Sequence, residues 1–287
     1  MTSLSTPPFM STAELAARLG DPGVVVLDAS WYMPQSGRDA RAEFEAAHLP
    51  GARFFDLDQV SDPSSPLPHM LPTPAAFEAA MRALGVGRAS LVVVYDGSGT
   101  NMSAPRAWWM FRYFGHAAVT VLDGGSRAWQ REGHPMERGE PTVRPGDFTA
   151  GPSLEAVRTA EQVGDALAAG SAEVVDARSA GRYRGADPEP RAGLASGHMP
   201  GALNLPYAEL VDANGLALPP EAVRERLAGA GLSLKAPVIA SCGSGVTACV
   251  LLHALARVGH DGRALYDGSW TEWASRQLPI ATGAAPR

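Results

Sequence analysis

The run Pro237-Val238-Ile239-Ala240-Ser241-Cys242-Gly243-Ser244-Gly245-Val246-Thr247-Ala248-Cys249-Val250 divides into three parts. Its opening is short, apolar and β-branched, and reads as a buried strand over Val238–Ser241. Gly243, Ser244 and Gly245 then break the pattern as a tight turn does. From Val246 an apolar pattern continues to Val258, with Gly259 as its stop, and predicts a helix. The uncharged stretch 236–256 has about the length of a bilayer span. However, Pro237, Ser241, Gly243, Ser244, Gly245, Thr247 and His253 interrupt it. Strand, loop and helix is the reading, and no membrane partner is expected.

A similar unit recurs in the first half. Tyr95-Asp96-Gly97-Ser98-Gly99 matches Ser241-Cys242-Gly243-Ser244-Gly245, and Val26-Leu27-Asp28-Ala29 matches Val174-Val175-Asp176-Ala177. His48-Leu49-Pro50-Gly51-Ala52 matches His198-Met199-Pro200-Gly201-Ala202. Leu122-Asp123-Gly124, followed by Trp129, matches Tyr266-Asp267-Gly268, followed by Trp273. Four matches in one order, half a chain apart, predict two copies of one domain. The expected division is a first domain over 1–140, a linker over 141–152 inside a segment rich in Gly, Pro and charge, and a second domain over 153–287. Strand-like runs at 24–27, Leu91–Tyr95 and Val119–Leu122 recur as Glu173–Asp176, Val238–Ser241 and 264–266. Short apolar strands between helices predict an α/β fold with a mostly parallel sheet in each copy, covered on both faces. In such sheets ligands sit at the carboxyl ends of the strands, and Cys242 follows one.

Composition narrows the function. The 287 residues carry 24 basic and 30 acidic side chains, a formal charge of −6, and no basic block, so no nucleic-acid partner is expected. Lys235 is the only lysine; no G-K-[ST] phosphate loop exists, and Schiff-base chemistry is disfavoured. Two cysteines, Cys242 and Cys249, supply neither a disulfide framework nor a four-thiolate zinc site, so no metal is expected and the compartment reads as reducing. Residues 1–20 lack the pattern of a secretory leader, which places the expected location in the cytoplasm.

The chemistry turns on what the copies do not share. Cys242 has Asp96 as its counterpart, and an aspartate cannot replace a thiolate nucleophile; the first copy is expected to be inactive. Around Cys242 two glycines let the chain curl its N–H groups inward, and the following helix turns its positive end to the same spot. Both favour a thiolate. Cys249, seven residues on, reads as a buried core thiol. His48, His198, Asp28, Asp176, Trp129 and Trp273 occur in both copies and therefore read as structural. Arg178 and Arg184, in an arginine-rich chain, read as solvated surface charges.

Taken together, C-G-S-G-V-T-A at 242–248, the repeated H-[LM]-P-G-A, the D-G-[GS] turns followed by tryptophan, and G-R-Y-R-G at 181–185 with P-E-P-R at 188–191 resemble the two-domain rhodanese-type sulfurtransferases. The resemblance runs from about Leu15 to Trp273. It implies two tandem rhodanese-like domains and sulfur transfer through a persulfide on Cys242, with no cofactor. Small residues at Gly243 and Ser244 match the 3-mercaptopyruvate branch, whereas the thiosulfate branch typically carries basic residues there. In that branch the positions of Arg182 and Arg191 hold the substrate carboxylate and keto oxygen, and the loop groups of Gly243, Gly245, Val246 and Thr247 line the substrate. Phe55-Asp56-Leu57-Asp58-Gln59 and Pro68-His69-Met70-Leu71-Pro72 match the same branch. There the counterparts of Asp58 and Ser244 form a proton-handling set with the cysteine, supported by the histidine matching His69. The residues by themselves do not choose Asp58 over Asp56 or Asp62. The expected partners are a small-molecule sulfur donor and a thiol or cyanide acceptor, thioredoxin among the candidates. Thiosulfate sulfurtransferase is the alternative activity, and a non-enzymatic sulfur carrier or scaffold ranks below it. A cysteine phosphatase would need an arginine where Ala248 stands.

Overall fold

The computed structural model describes residues 6–284. The chain forms two compact units. One comprises residues up to Pro63, Leu71–Leu154 and Asp212–Ala217; the other comprises Ser64–Met70, Glu155–Val211 and the chain from Leu218 onward.

The first unit holds a five-stranded sheet of β1 (Phe9–Met10), β2 (Val24–Asp28), β3 (Arg53–Phe54), β4 (Leu91–Tyr95) and β5 (Val119–Leu122), ordered β1-β5-β4-β2-β3. The second holds β6 (Ala156–Arg158), β7 (Glu173–Asp176), β8 (Leu203–Asn204), β9 (Val238–Ser241) and β10 (Arg263–Tyr266), ordered β6-β10-β9-β7-β8. Every pairing is parallel. The two orders correspond strand for strand, so the internal repeat extends from sequence to topology. The central strands are buried along nearly their whole length, as a parallel sheet with helices on both faces requires. In the first unit Val26, Val93 and Tyr95 pack with Phe44 and Trp129, while the alternate residues Val25, Val92 and Val94 are also buried.

The residues shared by both copies hold equivalent places. Trp129 Nε1 donates to the Pro135 carbonyl at 2.7 Å, and Trp273 Nε1 to that of Pro279 at 2.8 Å. His48 pairs through Nδ1 with the Phe44 carbonyl and stacks on the Phe44 ring; His198 does the same with Tyr183. These groups belong to the scaffold.

The units differ from the expected division in two places. Residues 141–152 are not a free linker. Phe148 is fully buried between Phe77 and Phe111, Arg82 Nε donates to its carbonyl, and the Gly151 amide donates to Phe114. A Cβ on Gly146 would meet the Val86 carbonyl at 2.0 Å, so only glycine permits this approach. Residues 64–70, including His69, belong to the second unit and not to the first copy as their position in sequence suggested. The helix Ala104–Tyr113 that follows β4 carries Pro105 in its first turn.

Asp28 and Asp176 end equivalent strands in different company. Asp176 meets the guanidinium of Arg178 at 2.6 Å, both side chains fully buried, whereas the first copy has Ser30 at the arginine's position. Ser30 offers Asp28 an N–H at 2.9 Å, but burial outweighs its hydrogen bonds and pushes the carboxyl from 3.8 up to about 6. The folded chain therefore keeps a proton that the unfolded chain releases, and stability falls as pH rises between those two values. We expect Asp28→Asn to remove about 2–3 kcal/mol of this fall, read from urea unfolding at several pH values between about 4 and 7. Parallel pH profiles for wild type and variant would contradict it.

Candidate active site

The 242–247 loop joins the carboxyl end of β9, a central strand of the second sheet, to the helix Ala248–Arg257. Gly245 sits at φ +76°, a left-handed conformation natural to glycine, and this curls the loop. The curl is pinned from the turn after β10. Ser269 Oγ accepts from the amides of Cys242 and Gly245, both at 3.1 Å, and donates to the Tyr266 carbonyl at 2.8 Å. The amides of Trp270 and Thr271 donate to the carbonyls of Cys242 and Gly243. Among the described residues, the amides of Gly243, Ser244, Val246 and Thr247 have no protein acceptor. Four unpaired N–H groups on one turn form a concave donor set suited to an anion.

Cys242 is 2% exposed and lies at the base of this loop, while Gly243 and Thr247 are half-buried. Cys249 is fully buried, and its thiol donates to the Gly245 carbonyl at 3.3 Å, which makes it a support of the loop. Ser244 Oγ pairs with His69 Nδ1 at 2.9 Å, both residues buried. His69 has φ +60°, an uncommon conformation for a non-glycine residue, held here at a site of polar chemistry. A Cβ placed on Gly243 would stand 3.0 Å from Arg182 Nη2 and 3.9 Å from Arg191 Nη1, so both guanidinium groups flank the loop. Cys242, Ser244, His69, Arg182 and Arg191 thus converge within the second unit.

Asp58 belongs to the first unit, in the helix Leu57–Val60. Asp56 caps that helix, accepting from the amides of Asp58 and Gln59, and so is committed to structure. Asp58 accepts from Trp31 Nε1 at 3.2 Å.

Arg178 is not a surface charge. Asp176 binds it side-on, Glu189 and the Gly197 carbonyl take further N–H groups, and its guanidinium lies 4.3 Å from the Trp270 ring centroid. Burial works against its charge, but Asp176 and Glu189 outweigh burial and hold the guanidinium above its ordinary value. Arg184, by contrast, is exposed as expected.

The corresponding loop of the first copy is filled by its own side chain. The Asp96 carboxylate accepts from the amides of Ser98, Ser103 and Ala104 and from the Ser98 hydroxyl. A built-in anion occupies its own loop's donors. Gly125, the counterpart of Ser269, is also left-handed, at φ +56°, but supplies no hydroxyl. The sequence reading missed Ser269 as a loop support; the signal was this Gly-to-Ser difference inside an otherwise repeated turn.

Among the described residues no group of three or more His, Cys, Asp or Glu side chains could hold a metal ion. No helix among them is long and apolar enough to cross a membrane.

The family model of the rhodanese-like domain matches the chain twice, over residues 11–132 and 159–276. The human 3-mercaptopyruvate sulfurtransferase is 44% identical over 278 residues, covering 96% of this chain and 93% of the relative. The 3-mercaptopyruvate sulfurtransferase of Escherichia coli strain K12 is 44% identical over 279 residues, covering 96% of this chain and 99% of the relative. The crystal structure of SseA from Escherichia coli, a 3-mercaptopyruvate sulfotransferase, superposes with a TM-score of 0.84 at 41% identity, covering 92% of this chain and 99% of that one.

Proposed function

The chain belongs to the rhodanese-like family, with two copies of the domain in tandem, and from that premise we propose that it transfers the sulfur of 3-mercaptopyruvate to an acceptor through a persulfide on Cys242. The observation that carries this reading is the curled loop, where Cys242 adjoins four amides that have no protein acceptor among the described residues and two arginines stand beside Gly243.

The Cys242 thiolate attacks the substrate's sulfur. The C3–S bond breaks, its electron pair goes to C3, and the adjacent keto group spreads that charge as an enolate. Arg182 and Arg191 hold the carboxylate and the developing oxyanion, a task suited to the planar guanidinium fork. The substrate's thiol proton is the one C3 needs to become the methyl group of pyruvate, and the Ser244–His69 pair can hand it over. The outer sulfur, left anionic, rests on the loop amides. An acceptor thiolate or cyanide then attacks that sulfur and releases the Cys242 thiolate, so the kinetics are ping-pong. Asp58 enters this scheme through the family likeness alone. The protein's sulfur acceptors are small thiols, cyanide or thioredoxin, and its place of action is the cytoplasm.

Thiosulfate is the weaker donor in this reading, because Gly243 and Ser244 add no positive charge beside Cys242. Steady-state rates with both donors and one acceptor test it. We expect kcat/KM for 3-mercaptopyruvate to exceed that for thiosulfate by at least about tenfold, the worth of one unfavourable charge contact. A preference for thiosulfate would reverse the assignment.

A further inference from the structure

Glu189 lies in P-E-P-R between the two proposed clamp arginines, and no motif reading assigns it a role. Its side chain is 2% exposed and each oxygen is engaged. Oε1 accepts from Arg178 Nη1 at 2.7 Å and from Arg182 Nε at 3.1 Å; Oε2 accepts from Arg182 Nη2 at 2.6 Å. Arg178 is itself fixed by Asp176, by the Gly197 carbonyl and by the Trp270 ring. A chain of alternating charges, Asp176–Arg178–Glu189–Arg182, therefore runs from the end of β7 to the loop.

Two consequences follow for Arg182. Its side-on pair, Nε and Nη2, is taken by Glu189. Its Nη1 has no hydrogen-bond partner among the described residues, and its Nη2 faces Gly243. Only the end-on pair remains for a ligand, in a fixed orientation. The Arg182 side chain is 20% exposed, so its charge and that of buried Glu189 oppose each other beside the loop at reduced solvent screening.

We propose that Glu189 is a positioning and specificity-determining residue: it fixes Arg182 end-on and cancels one positive charge at the site, favouring singly charged sulfur donors over doubly charged ones. This rests on the sulfurtransferase reading above. 3-Mercaptopyruvate carries one carboxylate and a neutral thiol, whereas thiosulfate is a dianion that must also bear the repulsion of Glu189.

Glu189→Gln keeps the shape and one acceptor oxygen but removes the charge. The ratio of kcat/KM for thiosulfate to that for 3-mercaptopyruvate should rise about tenfold over wild type, a shift that a loss of folded protein would not produce. Glu189→Asp keeps the charge but reaches less far. It should raise KM for 3-mercaptopyruvate about threefold with the donor ratio unchanged, and it serves as the second reading if the glutamine variant fails to fold. A folded Glu189→Gln with an unchanged ratio would overturn the proposal, as would a ratio in Glu189→Asp shifted towards thiosulfate. A wild-type protein that turned over neither donor would instead reject the functional reading on which this one rests.

Discussion

Cys242→Ser is expected to lower turnover of 3-mercaptopyruvate by at least about 10⁴-fold, the usual scale for loss of a nucleophile, while the protein stays folded. The loop is held by backbone amides, by Ser269 and by the carbonyl bonds to Trp270 and Thr271, none of which uses the Cys242 sulfur. A serine hydroxyl therefore fits the same place, but it cannot carry a sulfane sulfur. Steady-state assays together with thermal unfolding of the variant check both halves. Retention of more than about one hundredth of the wild-type rate would remove Cys242 from the centre of the mechanism. Cys249→Ser is the control. Cys249 donates a weak bond to the Gly245 carbonyl from beneath the loop, so its loss should change the rate only severalfold.

Arg182→Ala is expected to lower kcat/KM for 3-mercaptopyruvate by about 10²–10³-fold, the range for removing one preorganised donor group from a developing oxyanion. The effect should divide between KM and kcat, since the same guanidinium holds the ground-state carboxylate and the enolate-like charge. Arg182→Lys keeps the charge but loses the flat pair of donors, and should recover less than about tenfold. In either variant Glu189 keeps Arg178 as partner, so the buried carboxylate is not left alone. Rates with Arg182→Ala within threefold of wild type would show the clamp to be dispensable and remove Arg182 from the mechanism.

What the sequence made legible was local. Turn chemistry at Gly243 and Gly245, the apolar run of β9 and the repeated motifs sit in stretches of a few residues whose preferences act without distant help. The two-domain architecture and the loop followed from these. Groups defined by tertiary surroundings did not. Arg178 looks like any arginine until Asp176, Glu189 and Trp270 close over it. Glu189 follows a proline in a polar stretch that offers no periodicity to read. Residues 64–70 carry His69 into the second unit, which position in the chain gives no reason to expect. The edge strands β1, β3 and β8 span two residues each, too short to leave a period-2 signature. The capping role of Asp56 was likewise hidden, because it depends on where the helix Leu57–Val60 begins.

Intact-mass spectrometry after mixing the protein with 3-mercaptopyruvate, without any acceptor, reads the Cys242 persulfide itself. The expected result is a gain of one sulfur atom on the wild-type chain, retained in Cys249→Ser, absent in Cys242→Ser, and discharged when cyanide is added. Pyruvate released by the wild type with no sulfur found on the protein, or an adduct that persists without Cys242, would contradict it.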